Sequence, residues 1–238
     1  MPTLADRPRP PGFLWPHPSL PVAFLSVNGF ETRVLQSELQ PGPSSEKRAS
    51  VDARPTKTAP VARYDRTAQQ EGTSYCNPAE AHAVVETVLG FLRATSFSGS
   101  RERPEGGKEP PIGVAPTAIG VVTPYSAQAR LVTDLLAQQG SECRGVEVSS
   151  VDGYQGREKE VIVLSAVRAN ARGAVGFVAD WRRLNVAVTR ARRGLVVIGD
   201  STTLAAGCPH WRAYISWHRK QGTLIDLGSK QQELGSKS

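Results

Sequence analysis

Residues 161–167 (VIVLSAV) and 194–198 (GLVVI) are strongly apolar runs, and a chain can use such runs as strands only where both faces of the sheet are covered. Between and around them lie segments with helical spacing. Ala81, Val84, Val85, Val88, Leu89 and Leu92 recur at i, i+3, i+4 and i+7, which is one buried helix face. Leu131, Val132, Leu135 and Leu136 mark a second helix from about Ser126 to Gln139. Shorter strands are predicted over 20–27, 118–123 and 146–151, with a helix over 183–192, a last helix over 209–220 and a final strand over 223–227. Continuous strands alternating with helices predict an α/β domain with one parallel sheet and helices on both faces.

Punctuation between these elements sets the domain limits. Asn77-Pro78-Ala79-Glu80 reads as a helix start: Asn77 caps, Pro78 takes the first helical position, and Glu80 can reach back to the cap. Residues 1–12 are Pro-rich and expected to be a disordered tail, as are residues 228–238. The domain proper is expected over 13–227. Two segments inside it, about 36–70 and 96–116, are rich in Pro, Ser, Gly and basic residues and carry few large apolar side chains. They cannot bury enough surface to offset ordering entropy and are expected to be disordered insertions.

Charge and thiols narrow the function classes. The 238 residues carry a net charge of +7, which suits a polyanionic partner but also fits an ordinary basic surface. The three cysteines are far apart and form no CxxC, and the four histidines show no metal-ligand spacing. His82 falls within a helical pattern and reads as a surface or packing residue. A disulfide framework and a metal site are not expected, and a reducing compartment is. No run of eighteen apolar residues exists to span a membrane.

Three segments spend polar residues where strands give way to loops, and strand carboxyl ends form the ligand edge of such sheets. Residues 121–128 (VVTPYSAQ) end a strand and open a helix, so Thr123 and the helix N-terminus can hold a phosphate, though a plain strand-to-helix turn also fits. Residues 149–158 (SSVDGYQGRE) set Gly153 and Gly156 around Tyr154 and Gln155 and follow with Arg157 and Glu158. Glycines permit close backbone approach to a ligand. Residues 183–192 (RLNVAVTRAR) place Leu184, Ala187, Val188 and Ala191 on one helix face and Arg183 with Arg190 on another. Such arginines suit phosphate contacts but also fit a solvated face.

Together and in this order, these segments resemble motifs IV, V and VI of superfamily-one helicases. Residues 168–170 (RAN), 176–177 (GF), 13–16 (FLWP), 71–77 (EGTSYCN) and 80–81 (EA) are similar to the branch that includes the nonsense-mediated-decay RNA helicases. The resemblance covers about residues 13–225. It implies the second RecA-like motor domain of a P-loop NTPase, with two such domains closing on ATP and single-stranded nucleic acid lying across both. By resemblance, Arg190 is the catalytic arginine reaching the γ-phosphate, and Gly156 and Glu158 line the nucleotide cleft. Thr123, Pro124, Ser150 and Gln155 lie near the nucleic acid, or couple it to the nucleotide. Arg157 and Arg192 remain open, since Arg192 could hold the domain interface instead.

The departures matter as much. No G-x-x-x-x-G-K-[ST] occurs, and no paired Asp-Glu follows an apolar strand, so the domain lacks its own phosphate loop and magnesium motif. ATP and Mg are then expected to be gripped mainly by a first RecA-like domain acting in cis or in trans. Two readings follow. One is the C-terminal motor half of an ATP-dependent helicase, with single-stranded nucleic acid as partner, RNA ahead of DNA, and no membrane. The other is a stand-alone non-catalytic domain that binds nucleic acid or a protein partner. An intracellular location is expected, cytoplasmic ahead of nuclear.

Overall fold

The computed structural model describes residues 9–35, 73–93, 113–154 and 156–228. Eight strands and five helices follow in chain order: β1 (Val22–Ser26), β2 (Thr32–Leu35), β3 (Thr73–Cys76), α1 (Pro78–Leu92), β4 (Ile119–Thr123), α2 (Ser126–Gln138), β5 (Glu147–Ser150), β6 (Lys159–Ser165), α3 (Trp181–Val188), β7 (Ala191–Gly199), α4 (Ser201–Gly207), α5 (Pro209–Lys220) and β8 (Leu224–Asp226). Six strands form one sheet in the order β5-β4-β6-β7-β1-β8. Every pairing within it is parallel.

Strand alternation explains why the runs are so strongly apolar. Val161 and Val163 of β6, with Val196 and Ile198 of β7, face a core closed by α1 and α2. Their neighbours Ile162, Leu164, Leu195 and Val197 face the opposite core, closed by Leu204 of α4 and Trp211 and Ile215 of α5. Each central strand therefore needs apolar residues at every position. A parallel α/β sheet with helices on both faces is what these runs require, and it agrees with the RecA-like fold that the resemblance implies.

Helix α1 starts as its sequence dictates. Asn77 accepts from the Glu80 N–H at 3.2 Å, and Pro78 occupies the first turn. Glu80 does not close the cap through the Asn77 backbone, whose N–H goes instead to Gln128 Oε1 at 2.8 Å. The Glu80 carboxylate turns inward to the sheet. His82 is exposed.

Two expectations change. The helix over 183–192 ends at Val188, and residues from Ala191 onward are strand. Thr189 terminates it: its hydroxyl donates back to Asn185 O and Val186 O, and the β-branched run beyond pairs in parallel with β6 and β1. Arg183 and Arg190 are thus not on a shared helical face. The described part of the N-terminal stretch is packed from Pro10 onward. Trp15 Nε1 donates to Pro10 O at 2.9 Å, and a Cβ on Gly90 would stand 2.8 Å from Gly12 O. Helix α4, capped by Asp200, was not expected, nor was the β2–β3 hairpin. The expected disordered insertions, about 36–70 and 96–116, lie almost entirely outside the described residues, as do 1–8 and 229–238. Leu35 pairs with Thr73, so the chain on either side of 36–72 is adjacent.

Candidate functional site

The carboxyl ends of β4, β5 and β6 open onto a shallow apolar cleft bounded by Pro124, Val151, Phe177, Arg183, Leu184 and Trp211. Thr123 ends β4 with its side chain buried, and its hydroxyl accepts from the Tyr125 N–H at 3.5 Å. Its direct work is to shape the turn that presents Pro124. Helix α2 begins there, and its Ala127 N–H donates to Ser74 Oγ at 3.0 Å. Ser150 ends β5, and its hydroxyl accepts from the Gly153 N–H at 3.2 Å. Asp152 then pairs with Arg183 at 3.2 Å and ties the loop to α3. Gln155 lies outside the described residues.

The loop after Tyr154 runs down to the opposite edge of the sheet. Gly156 is exposed with φ +76°, a backbone state that glycine adopts without penalty. Arg157 pairs with Glu147 at the start of β5, and Lys159 pairs with the same carboxylate at 3.1 Å. Burial alone would lift the Glu147 pKa, but the bonds from Arg157 and Lys159 outweigh it and hold the carboxylate below its usual range. Glu158 pairs with Arg192 at 3.0 Å, both side chains about half exposed. Lys159 and Ala191 are register partners at the amino ends of β6 and β7. Glu158, Arg190 and Arg192 therefore sit at the amino edge, not at the carboxyl edge where all three segments were expected. Helix α3 spans the two edges.

Arg190 differs from its neighbours. Its Nε donates to Val186 O at 2.9 Å and its Nη2 to Thr189 Oγ1 at 3.0 Å. Arg183, Arg192 and Arg193 each hold a carboxylate: Asp152, Glu158 and Glu160. The Arg190 guanidinium is oriented by the helix end and has no carboxylate partner among the described residues. Such a group suits an incoming anion.

Sequence reasoning missed a buried polar cluster behind the cleft. Glu80 Oε2 accepts from the Ser165 hydroxyl and the Val167 N–H, both at 2.7 Å, and Gln128 Nε2 donates to Ser165 at 3.0 Å. Burial pushes the Glu80 carboxyl up to about 8, against those hydrogen bonds. Glu31 Oε2 accepts from Arg168 Nε, the Ala169 N–H and Asn170 Nδ2. Two carboxylates thus fix residues 165–170. Among the described residues no group of three or more His, Cys, Asp or Glu could hold a metal ion. Among the described residues, Arg190 is a group that could meet a phosphate. No described helix is long and apolar enough to cross a membrane.

Comparison with known sequences bears on this arrangement. The profile of a family described as an AAA domain (AAA_12) matches residues 11–202. The "Regulator of nonsense transcripts 1 homolog" of Arabidopsis thaliana is 36% identical over 180 residues, which is 72% of this chain and 13% of that protein. The "ATP-dependent helicase upf1" of Schizosaccharomyces pombe is 35% identical over 176 residues, 71% of this chain and 17% of that protein. The "DNA polymerase alpha-associated DNA helicase A" of the same yeast is 44% identical over 115 residues, 48% of this chain and 17% of that protein. The chain spans 13–17% of the length of these relatives.

Proposed function

Because this chain belongs to the AAA_12 family and to the superfamily-one helicases related to the nonsense-transcript regulators, we propose that it works as the second motor domain of an ATP-dependent helicase. In this reading it supplies Arg190 to the transferring phosphate and the cleft at Pro124 and Ser150 to single-stranded nucleic acid. The observation that carries the reading is the Arg190 guanidinium, held by Val186 O and the Thr189 hydroxyl and without a carboxylate partner among the described residues. ATP, when bound with magnesium by a first motor domain, supplies the phosphoryl group. Arg190 offers a planar cation fixed before the reaction, so charge developing on that group meets a preorganised partner. Gly156 and the Glu158–Arg192 pair would line the same side of the nucleotide.

The relatives' names include both a regulator of nonsense transcripts and a DNA helicase, and we favour RNA because the most extensive matches carry the former. The three free thiols support a reducing, intracellular location, cytoplasmic ahead of nuclear.

The test restores a first motor domain carrying a phosphate loop, by fusion or co-expression. Arg190→Ala should then lower turnover by roughly 10³–10⁵, with ATP affinity changed by less than about tenfold. Arg190→Lys should rescue poorly, because a point charge does not reproduce the fork. Unchanged turnover per folded molecule would remove Arg190 from the active site. The 238-residue chain alone has no phosphate loop and should not turn ATP over. Phosphate release near 1 per second with saturating RNA, the low end of ordinary enzymes, would overturn that expectation.

A further inference from the structure

Phe177 and Trp181 are large apolar side chains left 54% and 52% exposed on either side of the residue that caps α3. Neither serves the core to the extent its size allows. Each ring carries an arginine: the Arg183 guanidinium lies 5.5 Å from the Phe177 ring centre, and that of Arg182 lies 5.9 Å from the Trp181 ring. Tyr125 and His210 flank them, at 6.5 Å from Phe177 and 6.4 Å from Trp181. Phe177 and Arg183 also form the wall of the cleft opposite Pro124 and Val151. Exposed aromatic faces interleaved with cations, at the carboxyl edge of a parallel sheet, match bases and phosphates at once.

We propose that Phe177 and Trp181 are a stacking platform for the bases of single-stranded nucleic acid entering the cleft at Pro124. This rests on the second-motor-domain reading and adds to it the side of the strand that is recognised. Bases stack on the ring faces, and Arg182 meets the adjacent phosphate, while Arg183 stays tied to Asp152 against the Phe177 ring. Every base has a π face, so the platform holds a strand without selecting its sequence. Charge complementarity argues for a nucleic acid over an apolar peptide, because a hydrophobic helix would bury both guanidinium groups. Arg182 has no carboxylate partner among the described residues, so burying it would leave its charge uncompensated.

The experiment uses the full chain carrying Trp217→Phe, which silences the other exposed indole. It is titrated at low salt with oligouridylate and oligothymidylate of about twelve nucleotides, within the roughly 4–16 that single-strand modules cover. Labelled-strand anisotropy and tryptophan emission are read together. Trp181 emission should fall on binding, and Trp181→Ala or Phe177→Ala should weaken affinity roughly 5- to 100-fold, while Trp181→Phe keeps most of it. An abasic strand of equal length should bind the parent no better than a base-bearing strand binds Trp181→Ala. Thermal midpoints of the variants should match the parent, since both rings are half exposed. If the parent binds tightly and the alanine variants bind equally well, the platform is overturned while the motor-domain reading survives. If the parent binds no strand even at low salt, both fall, and the patch is a protein contact. Equal quenching by free ATP or UMP at matched concentration would make it a mononucleotide site and overturn the proposal.

Discussion

The Glu80 carboxylate accepts a 2.7 Å hydrogen bond from the N–H of Val167, the one non-glycine residue with positive φ among those described (+73°). A β-branched residue pays for that backbone state, and persists in it only when its surroundings over-determine it. Glu80 does so from α1, through Val167 and through Ser165. The carboxyl end of β6, and with it residues 168–170, is therefore held by a group on a different element.

That group should make stability depend on pH. Burial raises the folded Glu80 pKa to about 8, so the fold favours its neutral form. Its contribution is complete below about 4.5 and declines as pH rises to about 8, because the unfolded chain ionises first. The full window is worth on the order of 5 kcal/mol. Glu80→Gln preserves the shape and an acceptor for Val167, and should flatten the slope. Urea midpoints measured across the window check this, and a wild-type profile without a downward slope toward pH 8 would remove the neutral carboxyl.

His218 should act with the opposite sign. It is fully buried, Nδ1 meets the Thr223 hydroxyl at 2.7 Å, and Nε2 has no partner among the described residues. Burial pulls its pKa down to about 4. Its neutral form therefore stabilises the fold fully above about 6.5, and the contribution is lost as pH falls through about 4. The ring sits among Tyr214, Trp217 and Phe24, which could also enclose a phenyl group. His218→Phe should abolish the acid limb, and the Thr223 hydroxyl would still donate to His218 O. Acid denaturation curves of the two proteins that superimpose would count against this assignment.

Tyr154 presents a hydroxyl that is buried and unpartnered among the described residues. Tyr154→Phe removes a desolvated polar group and should raise stability by about 1 kcal/mol. The same hydroxyl crowds Gly120, where a Cβ would lie 2.0 Å from it. Gly120→Ala should then cost about 2 kcal/mol or more in the parent and distinctly less beside Tyr154→Phe. Thermal midpoints of the four proteins form the cycle. Additive effects would mean that the two positions do not meet.

The continuous apolar stretches 161–164 in β6 and 195–198 in β7 made the sheet legible, because a strand covered on both faces needs apolar residues at successive positions. The end of α3 was not legible. The stretch 187–191 carries enough helix formers to continue, and it stops because the chain pairs with β6 from Ala191 and with β1 from Leu195, a tertiary fact. That shift moved Arg190 and Arg192 to the amino edge and separated them from Arg183. Glu80 was seen as a cap, since Asn77 three residues earlier invites that reading, but its partners Ser165 and Val167 lie more than eighty residues away. Glu31 gave no signal at all, because a single acid before a short strand is unremarkable until Arg168 is folded against it.

Glu31 and Arg168 should be the pair whose separation costs most. They meet at 2.8 Å with side chains 13% and 8% exposed, and the same carboxylate oxygen also accepts from the Ala169 N–H and from Asn170 Nδ2. The guanidinium is further enclosed by the Tyr125 hydroxyl at 3.3 Å and by the Tyr75 ring at 4.3 Å. Glu31→Gln leaves the shape nearly intact but strands a buried cation, so it should lose about 3 kcal/mol, the scale for removing one partner of a buried pair. Arg168→Met alone should cost a comparable amount, because Glu31 keeps its charge in the same partly buried site. With both replaced, no unpaired charge remains, and the double variant should be more stable than the sum of the single losses predicts by about 2 kcal/mol or more. The alternative is that the pair merely decorates the surface, where such bridges are worth about 0–1 kcal/mol and the effects add. Chemical denaturation of the four proteins at one pH separates the two. Additivity within about half a kcal/mol would show that water, not Glu31, balances the Arg168 charge.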